Sequence, residues 1–211
     1  MKGLENLDII QFEEINSTNV KAKEMVRAGK CAPFCLVADR QTAGVGRYGR
    51  EFWSPKGGVY MTLVLRAEDF GYKFGTGYVA VCLVNVINQV MKDDRQRPAD
   101  ITIKWVNDVN VDGKKVAGIL VEKIADCFVI GIGVNMVVTG EVPEELKDRI
   151  GFLDLQVSKD DFVDQVIKEI TTSKIDDDEV RRQYKVYCKG VDINIDGSQN
   201  MEGGRVLISD C

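Results

Sequence analysis

Residues 38–58 constrain the chain most, because they can be neither helix nor uninterrupted strand. They hold five glycines, three arginines, a lysine and a proline between two apolar runs, 35–37 and 59–65. Pro55 and the pair Gly57-Gly58 rule out a helix interior, and Gly44, Gly46 and Gly49 weaken any strand. A loop this long inside a compact domain is either functional or disordered. From Asp39 to Lys56 it carries Arg40, Arg47, Arg50 and Lys56 against Asp39 and Glu51, a local excess of positive charge in a chain of net charge −5. Glycines let backbone N–H groups approach a ligand, and arginines add forked donors for carboxylate or phosphate. The expectation is a lid that clamps an anion. Gly44-Val45-Gly46-Arg47-Tyr48-Gly49 also spells G-x-G-x-x-G, but a dinucleotide site needs a helix opening from those glycines, and Pro55 with the glycine pair excludes one. A kinase glycine loop fails as well, since neither H-R-D nor D-F-G follows.

The 211 residues, 45% hydrophobic, suffice for one good-sized domain. The acidic balance and the lack of a Lys/Arg-rich run argue against a nucleic-acid binder, so no DNA binding is expected. The N-terminus lacks the apolar core of a leader peptide, and no apolar run is long enough to span a membrane. A cytoplasmic location is expected. The six cysteines are scattered, and Cys31-x-x-x-Cys35 lacks a second ligand pair, so reduced thiols fit better than zinc, and no protein-held metal is expected. Asn16-Ser-Thr18 matches a glycosylation site that a cytoplasmic chain never presents. There is no histidine. His-based triads and His metal sites are therefore excluded, and any chemistry must rest on positioning and charge.

Hydrophobic periodicity predicts strands at 9–15, 34–38 and 59–65, then at 101–105, 108–111, 115–123 and 127–134. Asp112-Gly113 is a strong hairpin signal. Helices are expected after the capping side chains of Asn16-Ser-Thr-Asn19, from Gly75 along Val79, Cys82, Leu83, Val86, Ile87, Val90 and Met91, after Ser158, and over 176–189. A polar turn with Pro98 should close the Gly75 helix. Sequential hairpin strands with helices between them argue for an α+β domain with a mostly antiparallel sheet.

The loop Arg47-Tyr-Gly-Arg50 with Ser54-Pro-Lys-Gly-Gly58 resembles the G-R-G-R-x-G-R-x-W-x-S-P-x-G-G signature of biotin protein ligases. Ser17-Thr18-Asn19 resembles that family's S-T-N, Lys104-Trp-Val-Asn-Asp108 its K-W-P-N-D, and 115–122 and 131–135 its K-x-A-G-I-L-x-E and G-x-G-x-N strands. The resemblance implies a mixed, mostly antiparallel sheet flanked by helices, related to the lipoate-attaching ligases. It implies a catalytic domain over 1–189 and, where the family appends a small barrel, only a shortened C-terminal β segment over 190–211. The strand-like runs 191–195 and 205–209 would pair with the main sheet or another chain rather than close a barrel. Without an N-terminal helix-turn-helix, the repressor form of the family is not expected.

The implied reaction uses ATP, Mg²⁺ and biotin to make biotinyl-5'-AMP, then biotinylates a lysine of a biotin carboxyl carrier protein of the acetyl-CoA carboxylase type. Two anions must be brought together, which calls for fixed positive charge and backbone donors more than a proton shuttle. The resemblance assigns Arg47, Arg50 and Lys104 to catalysis. It assigns Ser17, Thr18, Asn19, Gln41, Val45, Gly46, Arg47 and Lys104 to biotin, and Gly44, Gly49, Arg50, Trp53, Asn107 and Asn135 to the nucleotide. Each has a plainer reading. Ser17 and Thr18 serve as helix caps, Lys104 as a solvated sheet lysine opposite Ile101, Ile103 and Trp105, and Trp105 as core. Gly118, Gly131 and Gly133 would allow tight strand packing, and Asn135 would be a turn residue. Three departures stand out: Val45 for arginine, Phe52 for the signature tryptophan, and Val106 for proline. The alternatives are a lipoate-type ligase, which lacks this lid, and a non-catalytic biotin or adenylate binder. A homodimer is left open.

Overall fold

The computed structural model describes residues 7–94 and 99–188. The expected Pro98 turn and the C-terminal β segment 190–211 lie outside the described residues. Among the described residues seven strands form one sheet: β1 (Asp8–Ile15), β2 (Phe34–Gln41), β3 (Gly58–Arg66), β4 (Ile101–Lys104), β5 (Asp108–Val111), β6 (Lys114–Ile124) and β7 (Cys127–Asn135). Their order is β1-β2-β3-β7-β6-β5-β4. Only β1 and β2 are parallel; the other neighbours are antiparallel. Helix α1 (Thr18–Arg27) makes the crossover that this parallel pair requires. The mixed α+β sheet is as expected.

The two faces of the sheet are covered unequally. Alternation sends Val59, Met61, Leu63 and Leu65 of β3 and Ile130, Ile132 and Val134 of β7 to one face. There they pack under α2 (Gly75–Asp94), α3 (Lys159–Thr172) and α4 (Asp177–Tyr187) in the main core. The expected α2 face, Val79, Cys82, Leu83, Val86, Ile87, Val90 and Met91, is buried throughout. Ser158 and Asp176 cap α3 and α4, each accepting a backbone N–H in the first turn. The opposite face carries a smaller cluster, Ala22, Phe34, Leu36, Val64 and Val129, under α1 alone. One helix cannot cover seven strands. The uncovered part of that face, beside α1 and over β7 and β6, is where a cleft opens.

Residues 38–58 continue β2 to Gln41 and then close on themselves. Val45 bridges Glu51, Gly46 N–H donates to the Arg50 carbonyl at 2.7 Å, and Phe52 N–H donates to the Gly44 carbonyl at 2.9 Å. A 3-10 turn at Arg47–Gly49 forms the tip, with Tyr48 at φ 59° and Gly49 at φ 71°. The lid is a tight hairpin rather than an open loop.

Candidate functional site

The cleft encloses about 1190 Å³ beside the N-terminus of α1. Its floor is where β3, β7 and β6 run side by side, with Tyr60 paired to Gly133, Thr62 to Gly131, and Gly118 to Gly133. The missing side chains give the floor its depth. A Cβ on Gly131 would lie 2.8 Å from Asn19 Nδ2, and one on Gly118 2.9 Å from the Phe52 ring. Gly133 is crowded by the same ring. The three glycines therefore do more than relax strand packing; they seat an amide and an aromatic ring.

At the α1 end the polar groups are tied together. The Thr18 N–H and Thr18 hydroxyl donate to Gln41 Oε1 at 2.9 and 3.1 Å, and the Thr62 hydroxyl donates to Thr18 Oγ1 at 2.9 Å. Gln41 Nε2 donates to Ser54 Oγ at 3.0 Å, and Ser54 donates to the Phe52 carbonyl at 2.7 Å. Asn19 is 4% exposed, and neither atom of its amide has a partner. A buried amide in that state costs about 1–3 kcal/mol per group unless a ligand or water fills it. Ser17 accepts from the Val20 N–H and caps α1 without lining the cleft. The cap reading holds for Ser17, while Thr18 and Asn19 face the cavity.

The other end is cationic. Arg47, Arg50, Lys104, Lys115 and Arg149 line it, with Glu51, Asp108, Glu145 and Asp148 as the acidic groups. Arg47 Nη1 donates to Asn107 Oδ1 at 3.4 Å, and Nη2 donates to the Tyr48 hydroxyl at 3.0 Å. Asn107 in turn is paired with β6: its Nδ2 donates to the Ile119 carbonyl at 3.2 Å, and Ile119 N–H donates to its carbonyl at 2.9 Å. The lid arginine is thus held to the sheet through one side chain. Lys104 is exposed to the cleft, while Ile101 and Ile103 face the core as alternation required. Trp105 packs on Phe74 and Tyr184 with centroids 6.0 Å apart in each case, yet it also borders the cleft.

Of the residues expected in the site, Thr18, Asn19, Gln41, Val45, Gly46, Arg47, Arg50, Trp53, Lys104, Asn107 and Asn135 line this one cavity. Ser17, Gly44 and Gly49 do not. Gly44 lies behind the lid, where a Cβ would collide with the Phe52 carbonyl and Ser54 Oγ. Asn135 donates to the Lys115 and Gly151 carbonyls at 3.4 and 3.1 Å, so it splints β6 to the segment after β7.

Lys115 belongs to the site although sequence reasoning gave it no role. Strict alternation from Ala117 and Ile119 would turn it into the main core. Instead the register steps from Val109↔Ala117 to Asn110↔Lys115, leaving Val116 opposite no residue. That bulge shifts the pleat and brings the Lys115 ammonium into the cleft, 2.9 Å from Asp108 Oδ1 and 5.3 Å from the Phe52 ring centroid. The cue in the sequence was a lysine in a strand whose neighbours alternate out of step with it. Pro143, Leu146, Arg149 and Ile150, from the long connection after β7, also line the cleft. They carry no periodic signal.

Among the described residues no three or more His, Cys, Asp or Glu side chains gather as a metal site, and no helix is long and apolar enough to cross a membrane.

A sheet with a glycine-floored cleft, roofed by an arginine hairpin and closed at one end by a helix N-terminus, defines the class. Residues 11–135 match the model of the biotin/lipoate A/B protein ligase family, and the chain belongs to that family. It is 33% identical over 147 residues to the bifunctional ligase/repressor BirA of Bacillus subtilis, covering 66% of this chain and 44% of that one. It is 32% identical over 165 residues to the biotin–[acetyl-CoA-carboxylase] ligase of Mycobacterium tuberculosis, covering 75% and 59%. The chain thus spans about half the length of these curated relatives. Among solved structures it is similar to the biotin protein ligase of Aquifex aeolicus in complex with biotin and ATP, with a TM-score of 0.64 and 29% identity over 83% of this chain and 71% of that one.

Proposed function

We propose that this chain activates biotin with ATP to biotinyl-5'-AMP and passes biotin to a lysine of a biotin carboxyl carrier protein, in the cytoplasm. The observation that carries this reading is the set of unspent hydrogen-bonding positions at the α1 end. Gln41 Oε1 already accepts twice, so this side chain can offer a ligand only its remaining Nε2 proton. Thr18 Oγ1 has one lone pair left, and Asn19 has both a free acceptor and free donors. A cyclic urea presents one carbonyl flanked by two N–H groups, which complements that set. A dithiolane presents neither, and leaving these groups bare in a dry cleft penalises it.

The carboxylate of the bound acid then lies toward the cationic end. Its oxygen attacks the α-phosphorus of ATP, the bond to the bridging oxygen breaks, and pyrophosphate leaves with the electron pair. Arg47, Lys104 and Lys115 offset the charge of the converging anions, and the Gly46 backbone closes over them. Arg50, Trp53 and Asn107 border the space left for the nucleotide, and the volume admits both substrates together. Mg²⁺ enters as the counterion of the triphosphate, part of the substrate. In the second step the acceptor lysine amine attacks the mixed anhydride carbonyl and AMP departs. No step needs a histidine.

The test is pyrophosphate release from MgATP with biotin or lipoate as the acid. Release with biotin far above that with lipoate is expected. Equal rates would remove the ureido pocket, and binding of biotin without release would make the chain a binder.

A further inference from the structure

The polar relay at the α1 end has a direction, and that direction is set by two groups that have no choice. The Phe52 carbonyl can only accept a hydrogen bond, and the Thr18 backbone N–H can only donate one. Ser54 must therefore donate to Phe52 and accept from Gln41, which fixes the Gln41 amide with Nε2 toward Ser54. Its Oε1 then faces Thr18, whose N–H and hydroxyl both donate to it. With its own proton spent, Thr18 can only accept from Thr62, which is fully buried on β3. The orientation of the amide follows from the network rather than from its shape.

We propose, on the strength of the biotin reading above, that Thr62 and Ser54 are positioning residues: the Thr18 N–H and the Phe52 carbonyl set the direction of the relay, and Thr62 and Ser54 hold the Thr18 hydroxyl and the Gln41 amide to it, keeping the donor and acceptor polarity of the acid-binding pocket. By holding the relay in one direction, they leave Gln41 as a donor toward the ligand and Thr18 as an acceptor. The pocket is thereby committed to a carbonyl beside an N–H before any ligand arrives. Ser54, 4% exposed, does not line the cleft. Thr62 borders the cleft but spends its one proton on Thr18. The relay also joins four segments, β3, the start of α1, the end of β2 and the base of the lid. A fault at either end therefore reaches the same two ligand-facing groups.

The experiment measures biotin binding by calorimetry, and initial rates of pyrophosphate release, for the unaltered chain, Thr62→Val, Thr62→Ser, Ser54→Ala and the Thr62→Val/Ser54→Ala double variant. Valine keeps the shape of threonine and removes the donor to Thr18 Oγ1, leaving the Thr18 hydroxyl held by Gln41 alone. Thr62→Val should raise the biotin Kd and KM about tenfold, leave kcat and the KM for ATP within about twofold, and be rescued by Thr62→Ser. Because the relay acts as one unit, the double variant should bind no more than about twofold worse than the weaker single variant. Thermal midpoints within a few degrees accompany these outcomes, and the Thr62→Ser rescue separates lost polarity from lost packing. Unchanged biotin affinity in Thr62→Val, no rescue by serine, or singles that multiply in the double would overturn the relay. Absence of biotin binding by the unaltered chain would overturn it together with the functional reading.

Discussion

Lys104 and Lys115 reach the same cationic end by different routes and should differ in what they contribute. Lys104 has no hydrogen bond or ion pair at its ammonium among the described residues, so its whole charge is available to an arriving anion. Lys115 already shares its charge with Asp108 at 2.9 Å. Methionine keeps most of either stem and removes the ammonium. Lys104→Met should slow single-turnover formation of biotinyl-AMP about a hundredfold, the usual cost of losing one donor at a developing charge. A normal rate in a folded Lys104→Met would return that residue to the solvated surface. Lys115→Met should slow the same step and also leave Asp108 unpaired in the cleft, so its affinity for ATP should fall further than that of Lys104→Met. Nucleotide titration of the two variants checks the ranking.

At the scale of elements, the site depends on the floor of the cleft being bare. Gly133→Ala asks for no unusual backbone angle, yet the new methyl would press into the Phe52 ring. The variant should keep its fold and lose biotin affinity by at least tenfold, with Phe52 displaced toward Lys115; binding within twofold of the unaltered chain would show that the ring has room to move. The strands and helices themselves were legible because each carries its own period: the α2 face and the Asp112-Gly113 hairpin follow directly from local pattern. The lid residues and Lys104 were legible through motif order. The bulge at Val116 was not, since it arises from how β5 meets β6 and not from either strand alone. Nor was the wall contributed by Pro143 to Ile150, whose place is set by the Lys115–Ile150 bridge and by the Asn135 side chain bonding the Gly151 carbonyl. Ser17 caps α1 and does not line the cleft, a placement that the string Ser-Thr-Asn alone does not distinguish from that of Thr18 and Asn19.

At the scale of the whole molecule, two thiols buried in the core, Cys35 and Cys82, bear on its behaviour in alkali. Burial pushes the Cys35 thiol up to about 12 and the Cys82 thiol to about 12 as well. In the unfolded chain both would ionise at an ordinary value of about 8.5. The folded state therefore holds protons that the unfolded state releases, and stability present below about pH 8.5 is lost progressively as pH rises toward 12. The thermal midpoint should fall over that window, and the fall should be shallower in a Cys35→Ala/Cys82→Ala variant measured against its own neutral-pH value. Alkylation followed by peptide mapping should mark exposed Cys31 in the native protein, and Cys35 and Cys82 only after unfolding. The strand order has a further consequence, for synthesis. β3 is buried along nearly its whole length, yet the strand that covers its second edge is β7, made only after β4, β5 and β6 have left the ribosome. Throughout that interval the emerging chain displays the run Val59-Tyr-Met-Thr-Leu-Val-Leu65 with one edge open, a template for unwanted pairing. Ribosome-stalled chains ending in β6 should be cleaved readily by protease and retain bound chaperone. Chains extended well past β7 should shed both liabilities together, at the length where the glycine floor first closes against β3.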